Sequence, residues 1–215
     1  MDKTIQYYNE NAESYFDGTV NALLQEQLNR FLNYIPKGGR ILDLGCGSGR
    51  DTKYFLEQGY LVDAIDGSEE LCKMASRYTG ISVMNKTFDE VKDYERYDGI
   101  WACASLLHVP VMQMFNLIED LAYSLKPQGV IYIAMKYGEF SGYRSGRFFA
   151  DWTPRALKAL INSCEYNVDV ETSTGYRTTR ERLSLLDIWE TGDVRPERNS
   201  ENWVNVLAEK FMNYV

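Results

Sequence analysis

Three glycines at alternate positions, Gly45, Gly47 and Gly49, stand directly after an apolar run in RILDLGCGSGRDT, residues 40–52. Glycine has the most backbone freedom to lose on folding, so this pattern needs a compensating reason, and a usual one is a ligand that must touch bare backbone. Asp66 closes the next apolar run, YLVDAID. An acidic residue at that place characteristically accepts hydrogen bonds from ribose hydroxyls. Dinucleotide loops follow G-x-G-x-x-G, and that pattern fails here because position 50 is Arg50. The chemistry indicated is the binding of a nucleoside without a pyrophosphate. A lone G-x-G-x-G can also serve packing alone.

The elements needed to position these residues are legible in the hydrophobic pattern. Val20, Leu24, Leu28, Phe31 and Ile35 recur at three- and four-residue steps, which predicts a helix ended by Pro36 and Gly38-Gly39. RILDL reads as a buried strand, DTKYFLEQG as a helix stopped by Gly59, and YLVDAID as a second strand. SEELCKMASRY follows as a helix capped by Ser68, and GISVM as a third strand. YDGIWACASLL and GVIYIAM are near-continuous apolar runs, the mark of strands buried on both faces of a parallel sheet. Between them Met114, Ile118, Leu121 and Leu125 form a helical stripe.

Strands alternating with helices imply right-handed crossovers on both faces of one open sheet. The last third departs from that rhythm. DWTPRALKALINSC is a helix with Thr153-Pro154 at its start, and RLSLLDIWETGDV and NWVNVLAEKF read as an antiparallel pair joined by the turn RPERNSE. The stretch KYGEFSGYRSGRFF reads as a loop. The expected fold is therefore α/β, doubly wound and mostly parallel, with an antiparallel terminal pair.

The 215 residues fit one domain, 1–215, and carry a formal charge of −8. Nucleic acid or an anionic membrane would require clustered Lys and Arg, so the expected partner is a small molecule, with no nucleic acid and no membrane. Cys46, Cys72, Cys103 and Cys164 lack C-x-x-C spacing and His108 is the single histidine, so no metal site is expected. The polar N-terminus and the idle thiols fit a cytoplasmic protein.

ILDLGCGSGRDT, VDAIDGS, YDGIWACASLLHV and LAYSLKPQGVIYIAMK resemble the successive motifs of the class I S-adenosylmethionine-dependent methyltransferases. GSGRDTKYFLEQGYLVDAID is especially similar to their small-molecule, tellurite-resistance-type branch. The resemblance implies a Rossmann-like fold with a seven-stranded sheet, the cofactor S-adenosylmethionine, and methyl transfer to a small-molecule acceptor. Carried over residue by residue, it gives the methionine amino group to Asp43 and Gly45, the close backbone approach to Gly47 and Gly49, and the ribose to Asp66 and Gly67. The loop after the third strand offers Thr87, with Phe88 to pack on the adenine, while Ala102 and Ala104 would line the methionine portion. Gln128 stands where the family usually has the first glycine of Pro-Gly-Gly, which bears on the geometry of that turn.

A methyl on a sulfonium is already activated, so the protein need mostly align a nucleophile and exclude water. Residues 1–36 are expected to form a helical lid in which Tyr7, Tyr8 and Tyr15 close over the cofactor, their ring faces attracting its cation. The alternative is an amphipathic helix with aromatic core contacts. His108 is the candidate base for a hydroxyl or thiol acceptor, or else a helix cap or the partner of a backbone carbonyl. Segment 137–150 is expected to cover the substrate through Tyr137, Arg144, Arg147 and Phe148, with the arginines meeting an anionic group. Solvated charge is the plainer reading of those arginines. Trp189, Asp193, Arg195 and Trp203 suggest a second wall or simply core. A non-catalytic S-adenosylmethionine-binding domain is the competing function.

Overall fold

The computed structural model describes residues 3–172, 175–195, 198 and 200–213. Helices α1 (Lys3–Glu10), α2 (Ala12–Thr19) and α3 (Gln25–Leu32) precede an alternating series: β1 (Arg40–Leu44), α4 (Arg50–Glu57), β2 (Leu61–Asp66), α5 (Glu69–Thr79), β3 (Met84–Asn85), β4 (Tyr97–Cys103), α6 (Val111–Ser124) and β5 (Leu125–Lys136). Two short strands, β6 (Ser141–Arg144) and β7 (Arg147–Ala150), then lead through α7 (Pro154–Ser163) to β8 (Glu165–Thr172), β9 (Gly175–Gly192) and β10 (Asn202–Asn213). The main sheet has eight strands in the order β3-β2-β1-β4-β5-β10-β9-β8. The first five are parallel, and β10, β9 and β8 add on antiparallel. This is the doubly wound Rossmann-like arrangement, with β8 as one more edge strand beyond the seven.

Both faces of the inner strands are buried, which is why their sequences are apolar without alternation. Leu42, Leu44, Ile100 and Ile131 pack toward Met114, Ile118 and Leu121 of α6. On the opposite face Ile41, Trp101 and Tyr132 meet Phe31 of α3 and Phe55 of α4, and Trp101 stacks on Tyr132 at 3.9 Å between ring centroids. With both sheet surfaces covered, the carboxyl ends of the strands become the place where loops can gather around a ligand.

Several boundaries differ from the sequence reading. The helix expected from Val20 begins only at Gln25, with Leu24 at its N-cap, while Leu28, Phe31 and Ile35 are buried as the stripe requires. The third strand is only Met84–Asn85, because the Val83 amide donates to Ser76 Oγ instead of a sheet neighbour. Segment 137–150 is no irregular loop. It contains the hairpin β6–β7, in which Arg144 pairs with Arg147 across Ser145 and Gly146 at φ +49° and +80°. Positive φ at both turn residues suits a tight hairpin, and Ser-Gly is a recognised signal for one. The antiparallel pair β9–β10 forms as expected, whereas the turn read at 195–201 falls partly outside the described residues.

Gln128 holds a left-handed φ of +64° in the turn before the inner part of β5. A side chain there crowds the following carbonyl at a cost of roughly 1–2 kcal/mol, part of which glycine would lose again through its freer unfolded chain. Replacing the exposed Gln128 by glycine is expected to raise the unfolding free energy by about 0.5–1 kcal/mol, measured by urea denaturation.

Candidate active site

The chain leaves β1 through a loop that bends back on the end of β2. The Gly45 and Cys46 amides both donate to the Ile65 carbonyl at 2.9 Å, and the Gly47 amide donates to Asp66 Oδ2 at 2.9 Å. Asp66 Oδ1 accepts from the Ser68 amide at 2.8 Å, so one carboxylate joins the glycine loop to the start of α5. Gly45 and Gly47 adopt φ of +77° and +55°. A Cβ at Gly45 would stand 2.6 Å from Ser105 Cβ, and one at Gly47 would stand 3.1 Å from the Tyr15 ring. Bare backbone is therefore required at both by shape as well as by conformation.

A cavity of about 610 Å³ opens above this loop. Gly45, Gly47, Asp66 and Gly67 form its floor, Thr87 and Phe88 one side, Ala104, Ser105 and His108 the other, and Tyr8 and Tyr15 the roof. Gly45, Tyr15 and Ala104 also border a second, smaller chamber of about 100 Å³, into which Asp43 faces. Asp43 accepts from Thr52 Oγ1 at 2.5 Å, and burial, reinforced by the nearby Asp51 carboxylate, pushes its carboxyl well above the usual range. Burial likewise raises Asp66, against the pull of its two amide donors. Ala104 carries a strained φ of +55° at the cavity edge, a conformation that clusters at functional positions.

Helix α1 is fastened over the opening at two points. Ser68 Oγ donates to Asn9 Oδ1 at 2.7 Å, and the Phe148 amide donates to Thr4 Oγ1 at 3.0 Å. Tyr8 Oη lies 2.8 Å from His108 Nε2, and His108 Nδ1 lies 2.6 Å from the Phe148 carbonyl oxygen. A carbonyl only accepts, so Nδ1 carries the proton and Nε2 accepts from the Tyr8 hydroxyl. Arg147 Nη1 donates to the same hydroxyl at 3.3 Å. Burial raises the Tyr8 phenol, the Arg147 charge opposes that rise, and the phenol stays protonated at neutral pH.

Tyr15, Gly45, Gly47, Asp66, Gly67, Thr87, Phe88, Ala104 and His108 thus gather around one cavity, as the sequence suggests, with Asp43 beside it. Other expected residues lie elsewhere. Gly49 serves helix packing, since a Cβ there would meet Thr79 Cγ2 at 2.8 Å and Ala75 Cβ at 3.1 Å. Ala102 is fully buried in the sheet core. Tyr7 lies against the hairpin, with the Arg147 guanidinium 4.6 Å from its ring centre. Arg144 is held by Asp151 in a two-pronged pair at 2.8 and 2.6 Å, and Tyr137 is exposed beside Trp152. Arg147 and Phe148 meet the cavity only through Tyr8 and His108. Ser68, read in sequence only as a helix cap, and Ser105, given no role there, are further wall residues.

Residues 16–171 match a family described as a methyltransferase domain. A methyltransferase of Staphylococcus carnosus, itself uncharacterized, is 25% identical over 176 residues, covering 78% of this chain and 81% of its own length. A ubiquinone biosynthesis O-methyltransferase of Rickettsia canadensis is 29% identical, but over only 60% of this chain and 58% of its own. Among solved structures, the 1,6-didemethyltoxoflavin-N1-methyltransferase of Burkholderia thailandensis superposes with a TM-score of 0.68 at 19% identity, over 96% of this chain and 85% of the other. The chain belongs to the methyltransferase-domain family and is a class I S-adenosylmethionine-dependent methyltransferase. No helix among the described residues is long and apolar enough to cross a membrane.

The placement of Gly49 can be checked directly. Its φ of +78° and the crowded space behind it make Gly49→Ala destabilising by about 2–4 kcal/mol, the sum of left-handed strain and overpacking. Urea unfolding of the variant measures this.

Proposed function

We propose that this protein transfers the methyl group of S-adenosylmethionine to a small-molecule nucleophile held between the glycine loop and the lid of residues 1–36. The observation that carries the reading is the continuity of the larger cavity, which runs from the Asp66 carboxylate and the Phe88 ring to the Tyr8–His108 pair. The residues present fit the cofactor. Each Asp66 oxygen accepts one backbone amide and retains lone-pair capacity for a ribose hydroxyl, and Ser105 Oγ is a buried polar atom with no hydrogen-bond partner at the cavity wall. The glycine floor excludes side chains where a nucleoside would rest.

When bound, the cofactor supplies an electrophilic methyl on a positive sulfur. The chain's own work is to hold, orient and deprotonate. Asp66 and Gly67 serve the ribose, Thr87 and Phe88 the adenine, and Asp43 the ammonium of the amino-acid end. Tyr8 presents its hydroxyl to the cavity while its own proton points at His108 Nε2. An acceptor X–H gives its proton to Tyr8 Oη as the Tyr8 proton passes to Nε2, and the Phe148 carbonyl on Nδ1 steadies the imidazolium that forms. The lid and hairpin keep water from the bound sulfonium.

The match to GSGRDTKYFLEQGYLVDAID supports a place near the tellurite-resistance-type branch, and four free cysteines suit a reducing interior. The hairpin acts in this reading as a clasp on α1, since Phe148 bonds both Thr4 and His108.

Incubation with S-adenosylmethionine and a panel of small hydroxyl, amine and thiol compounds is expected to give acceptor-dependent S-adenosylhomocysteine. Product that never rises above the acceptor-free blank, with cofactor still bound, would favour a regulatory binding domain. Asp66→Ala removes a charged acceptor, which weakens S-adenosylhomocysteine binding by about ten- to a hundredfold in calorimetry. Tyr8→Phe keeps the ring contacts but cuts the proton path. Turnover of the best panel acceptor falls by about a hundredfold or more, while S-adenosylhomocysteine affinity holds.

A further inference from the structure

Among the described residues that line the larger cavity there is neither a lysine nor an arginine, whereas Asp66, Asp89 and Asp120 all border it. The nearby arginines are committed elsewhere. Arg144 is held by Asp151, and Arg147 stacks on Tyr7 at 4.6 Å from the ring centre and donates to the Tyr8 hydroxyl from outside the cavity. In the smaller chamber Arg50 gives two donors to Asp51, both at 2.7 Å, and Arg195 gives two to Asp193, at 2.8 and 2.6 Å. An anion taken out of water without a paired cation bears its desolvation cost uncompensated. A carboxylate or phosphate on the acceptor would therefore meet no cationic side chain on this wall.

A cationic acceptor fares no better. The bound cofactor places a positive sulfur in the site, and a protonated amine has no lone pair with which to attack. The carboxylates are also in use or displaced: Asp66 serves the Gly47 and Ser68 amides, Asp120 pairs with Lys92 at 2.5 Å, and Asp89 adjoins Phe88 on the nucleoside side.

The Tyr8–His108 pair adds a second constraint. It is useful only to an acceptor that docks with its proton in place, and a base works best on a proton whose acidity lies near its own. A phenol ordinarily has a pKa of about 10 and an imidazole one of about 6.5, so that transfer is uphill by about three to four powers of ten; from a group as weakly acidic as water, at about 15.7, the gap is about nine. The shape of the wall agrees. Tyr8 stands edge-on to Tyr15, with centroids 5.0 Å apart at 80°, and to His108, at 5.5 Å and 68°. These rings form a corner that a flat aromatic guest completes by T-shaped contacts, with Ile5 and Val109 adding apolar surface.

We propose that the acceptor is an uncharged aromatic ring bearing a weakly acidic O–H or N–H group, docked against Tyr8, Tyr15 and His108. The proposal rests on the reading of the cavity as a methyl-transfer site and narrows it. A lone pair on the ring's oxygen or nitrogen forms the bond to the methyl carbon as the C–S bond breaks, and the pair from that bond stays on sulfur. The acceptor proton passes to Tyr8 Oη, the Tyr8 proton passes to His108 Nε2, and the imidazolium then releases it to solvent.

The test uses protein saturated with S-adenosylhomocysteine, whose missing methyl leaves room for the acceptor. Phenol, benzoate, benzylammonium and cyclohexanol are titrated at neutral pH and followed by ligand-observed nuclear magnetic resonance. Phenol is expected to bind about tenfold or more tighter than each of the other probes. Tyr8→Phe removes the oxygen that receives the phenol proton, which weakens phenol by about fivefold and leaves S-adenosylhomocysteine affinity unchanged. That retained affinity certifies the fold of the variant. Phenol that binds no tighter than any one of the other probes, or that ignores Tyr8→Phe, overturns the proposal. Failure of the wild-type protein to bind S-adenosylhomocysteine overturns the methyl-transfer reading and this one with it, whereas S-adenosylhomocysteine bound with phenol excluded overturns the acceptor class alone.

Discussion

A single half-buried carboxylate ties the ligand-binding edge together. Asp66 accepts amide hydrogens from Gly47 and Ser68, so the loop after β1 and the helix after β2 are positioned by the same two oxygens. Ser68 in turn caps α5 through Leu71 and donates to Asn9, which fastens the lid helix. Burial opposes the Asp66 charge, and directed donors are what make that charge tolerable in a protein interior. The acid that serves a ribose in the proposed mechanism is thus also the peg on which the local architecture hangs.

The elements that hold this edge were readable because their burial is uniform. RILDL and GVIYIAM are covered on both faces, and the apolar run is a direct consequence of that environment. Gly45, Gly47 and Asp66 were readable for a different reason, since steric exclusion and a strand-end acid leave residue types that little else explains. Gly49 looked the same in sequence yet answers to α5, because alternate spacing cannot say whether a ligand or a neighbouring helix fills the missing Cβ. The β6–β7 hairpin was obscured by the three glycines of segment 137–150, of which only Gly146 belongs to the two-residue turn. Ser105 gave no signal at all, for its interest lies in an unpartnered oxygen that only three-dimensional packing reveals.

The arginines of the hairpin illustrate how charge is used once a fold closes. Arg144 sits 4.3 Å over the Phe149 ring while paired to a nearly buried Asp151, and Arg147 lies among Tyr7, Tyr8 and Phe149. Guanidinium planes stack on aromatic faces as well as bind anions, and here the stacking welds the hairpin to the first helix. What reads in sequence as an adhesive surface for substrate is spent on an internal seam, and Tyr8 is the part of that seam that reaches the cavity.

The position of Tyr15 carries a kinetic corollary. Its ring rests on Gly47 where the larger cavity meets the smaller chamber, so one helix roofs both compartments. In the proposed function a ligand spanning the two compartments lies beneath α2, while α1, which precedes it, is the helix fastened through Asn9 and Thr4, so release would call for both helices to lift. In the proposed function such a layout would make the nucleoside the first ligand to arrive and the last to leave, with its residence time set by how often the Asn9 and Thr4 fastenings part.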